Sequence, residues 1–574
     1  MTGLHLAFAA AVESFICQWA DFQGMDEWID RFEPIVGRHP AVPDPQVAQR
    51  SLAAMFTALT FRRPWSEALP QMESRALEIV DDVSLPASTR LAMGRNLVLE
   101  CIFRGEGTRA ARVVRGLAPL ARAAGVDLVT AIGWLAAEAV LYWHTGAPSE
   151  CDRTANLGLE MARDSGVHVW DFHLRQQRAF ASLAAGDPGA AREHVAAIEA
   201  SLQVRRTPHL LSLHELEALL ALHEGDAARA VSAARALAKV ASESGLALFD
   251  VLGSIYLALA LVEVGDTAAA RPALEALHRL GAGIRSALTE MVAELAEAEL
   301  DRRSGDLAAA RAHLERGLRI GREKGIVPDV WFSRGRLAEL CALALDSGIE
   351  TEHVRGLVRR LGLAAPAGCS SEHWPWTVRV RLFGAIEVIV QGRPLRFATK
   401  AQRRPLDVLQ ALVAGGDPAQ AGKTVAAALW PESDGDLSRH ALETATYRLR
   451  RLVGDEIVRH REGRLHLDTG RCWVDALAFG TLLAHAGACL QRRDARGALA
   501  AADSAVALYR GPFLVDREEP WAPAARARHR AHLRRCLSDL ERFGADREAV
   551  QRLRARTETA DPEGRGPSRS MNVN

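Results

Sequence analysis

Basic side chains cluster in one short part of this chain, between residues 400 and 464. Arginine can take a guanine by two hydrogen bonds, and threonine can touch a thymine methyl group. Arginine and lysine also bind phosphates, which positions a protein on a nucleic acid without specifying sequence. The chemistry indicated is the binding of duplex DNA, not bond breaking. The candidate DNA-binding residues are Lys400, Arg403, Arg404, Arg439, His440, Thr444, Tyr447, Arg448, Arg451, Arg459, Arg461 and Arg464.

The elements that must position these residues follow in a definite order. Apolar and polar residues alternate after Val378, as in strands, with a turn at Gly392. Helical spacing then recurs three times, and a hairpin pattern follows around Glu462-Gly463. The predicted order is strands within 378–397, helices near 406–412, 425–430 and 437–453, and hairpin strands 457–460 and 464–467. This is the order of a winged helix-turn-helix.

The third predicted helix has two unlike faces. At 100° per residue, one stripe is apolar and is expected to pack inward: Leu442, Ala445, Leu449 and Leu452. The opposite face is expected to meet DNA, and its residues are His440, Thr444, Tyr447 and Arg451, flanked by Glu443 and Arg448. Phosphate contacts are expected from the start of the first helix, from Arg439 and Arg450, and from the hairpin wing. The plainer interpretation is a solvated basic helix face followed by an ordinary hairpin.

Several motifs in this region resemble those of the OmpR-type winged helix of bacterial transcriptional activators. The residues that carry the resemblance are Leu382-Phe383-Gly384, Gly392-Arg393-Pro394-Leu395, Leu429-Trp430-Pro431, Arg448-Leu449-Arg450-Arg451 and Trp473-Val474-Asp475. The residues from Tyr509 to Leu514, with Trp521, are similar to the beginning of a bacterial transcriptional activator domain. The resemblance implies sequence-directed binding to promoter DNA and no catalysis. One departure is Thr446, where similar helices often carry an aliphatic residue.

The first two-thirds of the chain is an internal repeat. Gly105 and Gly146, followed by four Gly-Asp pairs, recur every 39 to 41 residues, and the Gly-Asp pairs start at 186, 225, 265 and 305. Glycine permits the positive φ that ends one helix, and aspartate can cap the next. Five residues after each glycine comes a small residue that would let paired helices approach closely. Such pairs stack into a superhelix. The array resembles the long tetratricopeptide repeats of MalT-like regulators, and a passive spacer is the alternative.

Charge distribution and cysteine content limit the class of protein that this sequence can encode. Net charge is zero overall, but residues 377–475 hold 16 Lys+Arg against 12 Asp+Glu, and residues 476–574 hold 17 against 12. A cationic final third suits a DNA-binding end. The eight cysteines show no CxxC spacing, which favours free thiols in a cytoplasmic protein. No leader segment and no membrane span are expected.

The sequence therefore predicts a mainly α chain in which a TPR-like α-solenoid precedes an α+β winged helix-turn-helix and a short helical region. The predicted boundaries are a degenerate cap 1–60, superhelix 61–345, terminal helix and linker 346–376, winged domain 377–475, activator-like helices 476–556 and disordered tail 557–574. GDPAQAGKT lacks the first glycine of a phosphate loop, because residue 417 is Asp417. His460 and His466 lack an evident third ligand for a metal.

We expect no enzyme, no cofactor and no metal. The expected partners are promoter DNA, RNA polymerase and an unidentified protein or small-molecule ligand of the superhelix. A protein–protein scaffold with a winged fold that does not bind DNA is the main alternative, and a regulatory subunit of a separate enzyme is another.

Overall fold

The chain divides into two compact units, Met1–Leu363 (the repeat unit) and Ala364–Asn574 (the winged unit). The computed structural model describes residues 2–18, 21–38, 44–123, 125–202, 206–366, 368–396 and 400–562. Within these ranges only the backbone is described for residues 17, 36–38, 208 and 400–403. The mainly α fold class is confirmed, because helices dominate both units.

Helices alone make up the repeat unit over its described residues. They are α1 Thr2–Gln18, α2 Met25–Arg38, α3 Pro45–Arg62, α4 Leu69–Asp81, α5 Ala87–Phe103, α6 Gly107–Ala121, α7 Leu128–His144, α8 Pro148–Ser165, α9 Asp171–Ala185, α10 Pro188–Ser201, α11 Thr207–Glu224, α12 Ala227–Ser244, α13 Ala247–Val264, α14 Thr267–Ile284, α15 Ala287–Ser304, α16 Leu307–Lys324, α17 Arg334–Asp346 and α18 Thr351–Leu361. From α5 to α15, the first helix of each pair contacts the first helix of the next.

The helix ends and caps within the repeats are as the sequence predicts. All six ladder glycines take positive φ, between 74° and 87°, and each ends the first helix of a pair. The aspartates that follow four of them accept a hydrogen bond at 2.9–3.1 Å from the backbone N–H three residues on. The small residues are at most 1% exposed: Ala110, Cys151, Ala191, Ala230, Ala270 and Ala310. A side chain larger than these would push the paired helices apart.

A short segment between α16 and α17, residues 326–332, is buried inside the repeat unit. Its backbone is tied to two distant helices: Val327 N–H donates to the His144 carbonyl at 2.9 Å, and His223 Nε2 lies 2.8 Å from the Val330 carbonyl. The Trp331 ring stacks on Tyr256 with centroids 5.4 Å apart. Nothing in the repeat spacing predicts this filling of the interior.

Among the described residues one helix, α13, is long and apolar enough to cross a membrane, with a mean hydropathy of 1.9. It is 61% buried within the protein and packs against α11, α12, α14 and α15. Its environment is that of a core helix in the repeat array.

Two small sheets and seven helices form the described part of the winged unit. The elements are β1 Val378–Arg381, β2 Glu387–Val390, β3 Arg393–Pro394, α19 Lys400–Ala414, β4 Ala419–Ala421, α20 Gly422–Leu429, α21 Gly435–Val453, β5 Val458–Arg461, β6 Arg464–Leu467, β7 Cys472–Val474, α22 Asp475–Gln491, α23 Ala495–Leu508, α24 Trp521–Arg542 and α25 Arg547–Ala560. One sheet has the order β3-β2-β1-β7, with β1 and β7 parallel. The other has the order β4-β6-β5 and is antiparallel throughout.

One hydrophobic core runs through the whole winged unit, from Val378 in β1 to Leu553 in α25. The domain boundary predicted at residue 475 therefore lies inside a continuous core. Asp475 itself is fully buried, and its carboxylate accepts backbone N–H bonds from Leu382 at 2.8 Å and Phe383 at 3.0 Å. Burial raises the pKa of Asp475 to about 6.

The predicted disordered tail begins too early. Helix α25 continues to Ala560, and Asp561 is 2% exposed, because its carboxylate accepts from Arg530 Nε and from the Tyr509 hydroxyl, each at 2.6 Å. Residues 563–574 lie outside the described residues.

Candidate nucleic-acid interface

Helix α21 is the centre of the candidate interface. Its first N–H groups are capped by Asp434, whose side chain accepts from Gly435 N–H at 2.6 Å. It ends at Val453 because Gly454 takes a φ of 106°. The buried stripe consists of Ser438, Leu442, Thr446, Leu449 and Val453, and it packs on the shared core.

The outward face of α21 carries most of the residues predicted for it. Arg439, His440, Glu443, Tyr447, Arg448 and Arg451 are exposed, and so are Asp436 and Leu437 near the start of the helix. Tyr447 is 62% exposed, a large value for an aromatic ring. Neither Arg448 nor Arg451 has an ion-pair partner among the described residues, whereas Arg439 lies 3.3 Å from Asp436. The face therefore presents two unpaired guanidinium groups beside an aromatic ring.

The predicted facing of α21 is wrong by a small rotation. Thr444 is half-buried instead of outward, and Ala445 and Leu452 are only partly buried. Thr446, which lay on neither predicted face, is 6% exposed, and its hydroxyl has no hydrogen-bond partner among the described residues. Helical spacing placed Ala445 on the buried stripe because alanine is apolar, but the hydrophobic core contacts α21 on the side of Thr446.

The wing is a three-stranded sheet, not the bare hairpin that the sequence predicts. Strand β4 pairs with β6, so the wing is joined to the turn before α20. At its tip Glu462 and Gly463 take positive φ, and Arg461 pairs directly across from Arg464 in the register of β5 and β6. Both arginines are exposed. Like charges opposite one another destabilise a sheet, so the pairing of Arg461 with Arg464 has a cost in stability, and exposed Glu462 lies between them in the turn.

The other basic residues predicted to bind DNA fall into three groups: those without an ion-pair partner, those bound to other groups of the protein, and those whose side chains lie outside the described residues. Arg404 is exposed without an ion-pair partner among the described residues. Arg459 pairs with Glu456, and Arg464 Nη2 donates to the Ala419 carbonyl at 2.6 Å. The side chains of Lys400 and Arg403 lie outside the described residues, although both positions belong to α19.

Arg450 has a structural contact that the sequence did not reveal. Its Nε donates to the Val458 carbonyl at 2.7 Å, which ties α21 to the first strand of the wing. Arg450, which was expected to contact phosphate, therefore has its Nε engaged in a contact between α21 and β5. Nothing in the sequence distinguishes Arg450 from the basic residues beside it.

A cleft of about 540 Å³ lies between α20, α21 and the wing. It is lined by Lys423, Trp430, Arg439, Thr446, Tyr447 and His460, among others. Among the described residues, the His/Cys/Asp/Glu groups close enough together to hold a metal ion lie at Glu73–Cys101 and Glu294–His313, both in the repeat unit. What the interface offers is cation, hydroxyl and aromatic surface.

The fold and this site define a class: a helical-repeat chain that ends in a winged helix-turn-helix unit. No protein-family model matches the sequence, and no curated protein matches it. Solved structures, among them these three, are similar to it in part. A Rap protein complexed with competence and sporulation factor is 12% identical, with 63% of this chain and 97% of that chain covered and a TM-score of 0.46.

A human IFIT1 dimer with PPP-AAAA is 12% identical over 88% of this chain and 97% of that chain, with a TM-score of 0.26. A circular tandem repeat protein with novel repeat topology is 16% identical over 98% and 97%, with a TM-score of 0.14. At these values the similarity carries no argument about function.

Proposed function

We propose that this protein is a sequence-directed, DNA-binding transcriptional activator of the bacterial type with an OmpR-like winged helix. Helix α21 enters the major groove with its exposed face, and the wing lies along the adjacent minor groove or backbone. The supporting observation is the exposed face of α21 with Tyr447, Arg448 and Arg451, followed in the chain by a wing whose tip carries Arg461 and Arg464. An α-helix fits the major groove, and arginine is the commonest reader of guanine there.

The activity in this proposal is binding, without catalysis. The repeat unit would take a protein or small-molecule effector, and RNA polymerase would be the partner at a cytoplasmic promoter. The arginines without an ion-pair partner among the described residues have different roles according to their position. Arg451 meets a base edge, while Arg404 at the start of α19 and Arg461 in the wing meet phosphates.

A protein–protein scaffold is the second candidate, and one observation favours it. Leu437 is 69% exposed and Tyr447 is 62% exposed, both on α21. Apolar side chains on one exposed helix face are also what a protein partner would cover.

The test is to select fragments of the source genome with the full-length protein and measure affinity for an enriched duplex and a shuffled duplex. Arg451→Ala should weaken binding to the enriched duplex by about 1–3 kcal/mol and reduce the preference over shuffled DNA. Arg404→Ala should weaken binding to both duplexes alike and make the salt slope shallower by about 1.

Arg552→Ala is the matched control, because Arg552 is an exposed arginine on α25 of the same unit, with its side chain 68% exposed. It should change neither affinity nor preference. If no duplex is enriched and the protein binds neither DNA at low salt, the scaffold is the better explanation.

A further inference from the structure

A cleft of about 700 Å³ opens in the repeat unit between α1, α3 and α5. Its walls include Val12, Ile16, Leu85 and Met93, which make them largely apolar. A volume of this size is typical of small-molecule sites, which are mostly apolar with a few placed polar groups. The polar groups include Thr57, Arg95 and Asn96, and the cleft is also lined by Glu13, Gln46, Gln49, Arg50 and Thr89.

Charge in the cleft is unbalanced. Arg50 is neutralised by Glu13, with Nε 2.7 Å from Oε1. Arg95 is partly buried, yet it has no carboxylate partner among the described residues. Burial lowers the pKa of the Arg95 guanidinium, and burial also lowers the pKa of nearby His173 to about 4, so that histidine is neutral at pH 7. The cleft therefore holds one positive charge without a counter-charge.

The guanidinium of Arg95 is held in place by its neighbours. Its Cζ lies 5.0 Å from the centroid of the Trp170 ring, as in a cation–π contact. Nε and Nη2 make only long hydrogen bonds, of 3.4 and 3.3 Å, to the Asn96 side-chain oxygen. Asn96 is in turn fixed, because its Nδ2 donates at 2.9 Å to the Thr57 hydroxyl.

These contacts leave most of the hydrogen-bonding capacity of Arg95 unused. A guanidinium has five N–H donors in a planar fork that matches a carboxylate. Arg95 is partly buried, and an anionic ligand would give its guanidinium a charged partner. The apolar walls call for a hydrocarbon body attached to the anion.

We propose that this cleft binds an organic carboxylate with an apolar body, whose carboxylate pairs with Arg95. The carboxylate can belong to a free aliphatic acid or to the C-terminus of an apolar peptide, and both present the same chemistry to the cleft. The site lies within the repeat unit and stands whether or not the winged unit binds DNA.

The experiment measures binding to the full-length protein by calorimetry and by thermal shift. The probes are octanoate, octanol as the uncharged analogue, trileucine with a free C-terminus, and the same peptide amidated. We expect saturable binding of a carboxylate probe and a loss of about tenfold or more for its uncharged counterpart. Binding of octanoate alone identifies a small acid as the ligand class, and binding of free trileucine alone identifies a peptide.

Arg95→Met removes the charge at nearly constant bulk and should weaken carboxylate binding by about tenfold or more without lowering the melting temperature. Gln49→Met is the matched control, because Gln49 lines the same cleft and its replacement changes no charge; it should change affinity by less than about threefold. Arg95→Lys keeps the charge without the planar fork and should fall between wild type and Arg95→Met. Failure of both carboxylate probes to bind, or equal affinity in wild type and Arg95→Met, would overturn the proposal.

Discussion

Replacing Arg461 by glutamate at the wing tip is expected to raise the stability of the winged unit and lower its affinity for DNA. In the native register Arg461 faces Arg464 across the hairpin, and opposed like charges cost about 0.2–1 kcal/mol. Glutamate turns this pair attractive. We expect a gain of about 0.5–1 kcal/mol and a rise in Tm of roughly 1–4 °C.

The effect on DNA follows from the number of free cations. Arg404, Arg448 and Arg461 are exposed, have no ion-pair partner among the described residues and are not assigned to a base edge. Three phosphate contacts give a salt slope of about −2.7, which is a loss of roughly 40-fold between about 50 and 200 mM salt. Arg461→Glu removes at least one contact, so the slope should become shallower by about 1.

Two assays on the same full-length variant test this reasoning: thermal unfolding without DNA and fluorescence anisotropy on labelled duplex across a salt series. Arg461→Gln is the intermediate step, because it removes the repulsion without creating an attraction. A lower Tm in Arg461→Glu would refute the reasoning about the hairpin register. An unchanged salt slope would refute the placement of the wing on phosphates.

Three further predictions concern the framework. Asp475→Ala should destabilise the winged unit by about 2–6 kcal/mol in denaturant unfolding, because two buried backbone N–H groups at the end of β1 lose their acceptor. Unchanged stability would contradict this. Burial raises the pKa of Asp329 to about 8, above the unfolded value of about 3.9. Protonated Asp329 therefore contributes its full stabilisation below about pH 4, and this stabilisation is lost as pH rises through about 8. Asp329→Asn should accordingly gain stability relative to wild type with increasing pH, by up to about 1.4 kcal/mol per pH unit. A constant difference across pH would rule this out. Ala270→Leu should cost about 1–3 kcal/mol by overpacking a residue that is 0% exposed, while Ala268→Leu on the exposed side should change little.

The repeat array was predictable because its signals are local. A glycine that ends a helix and an aspartate that caps the next act within a few residues. A second ladder of helix ends was missed: Gly166, Gly245 and Gly325 also take positive φ at the ends of second helices, and Arg285 takes their place after α14 with a φ of 55°. Arginine in that position hides the period from a search based on glycine.

The parts that were not predictable depend on long-range packing. Strand β4 is three residues long and contains no β-branched residue, so only its pairing with β6 reveals it. The buried segment 326–332 owes its place to partners more than 70 residues away in sequence. The rotation of α21 and the bracing contact of Arg450 likewise depend on neighbours that a helical wheel does not contain.

The continuous core changes what the last helices of the chain do. Phe383, at the end of β1, packs against Phe479 of α22 and against Tyr509 and Phe513, with ring centroids 4.9–5.9 Å apart. Two arginines from the later part of the unit also hold α19: Arg517 Nε donates to Gln410 at 2.9 Å, and Arg528 Nη2 donates to the Ala414 carbonyl at 2.8 Å.

Helix α19 supports α21 from within, because the two pack directly on each other. The residues after Asp475 therefore support α21 through α19. They share its hydrophobic core and do not form a separate module. A ligand or partner that shifted α24 would disturb its contacts with α19, and α19 packs on the helix proposed to enter the major groove. Mechanical coupling of that kind needs no separate activator domain.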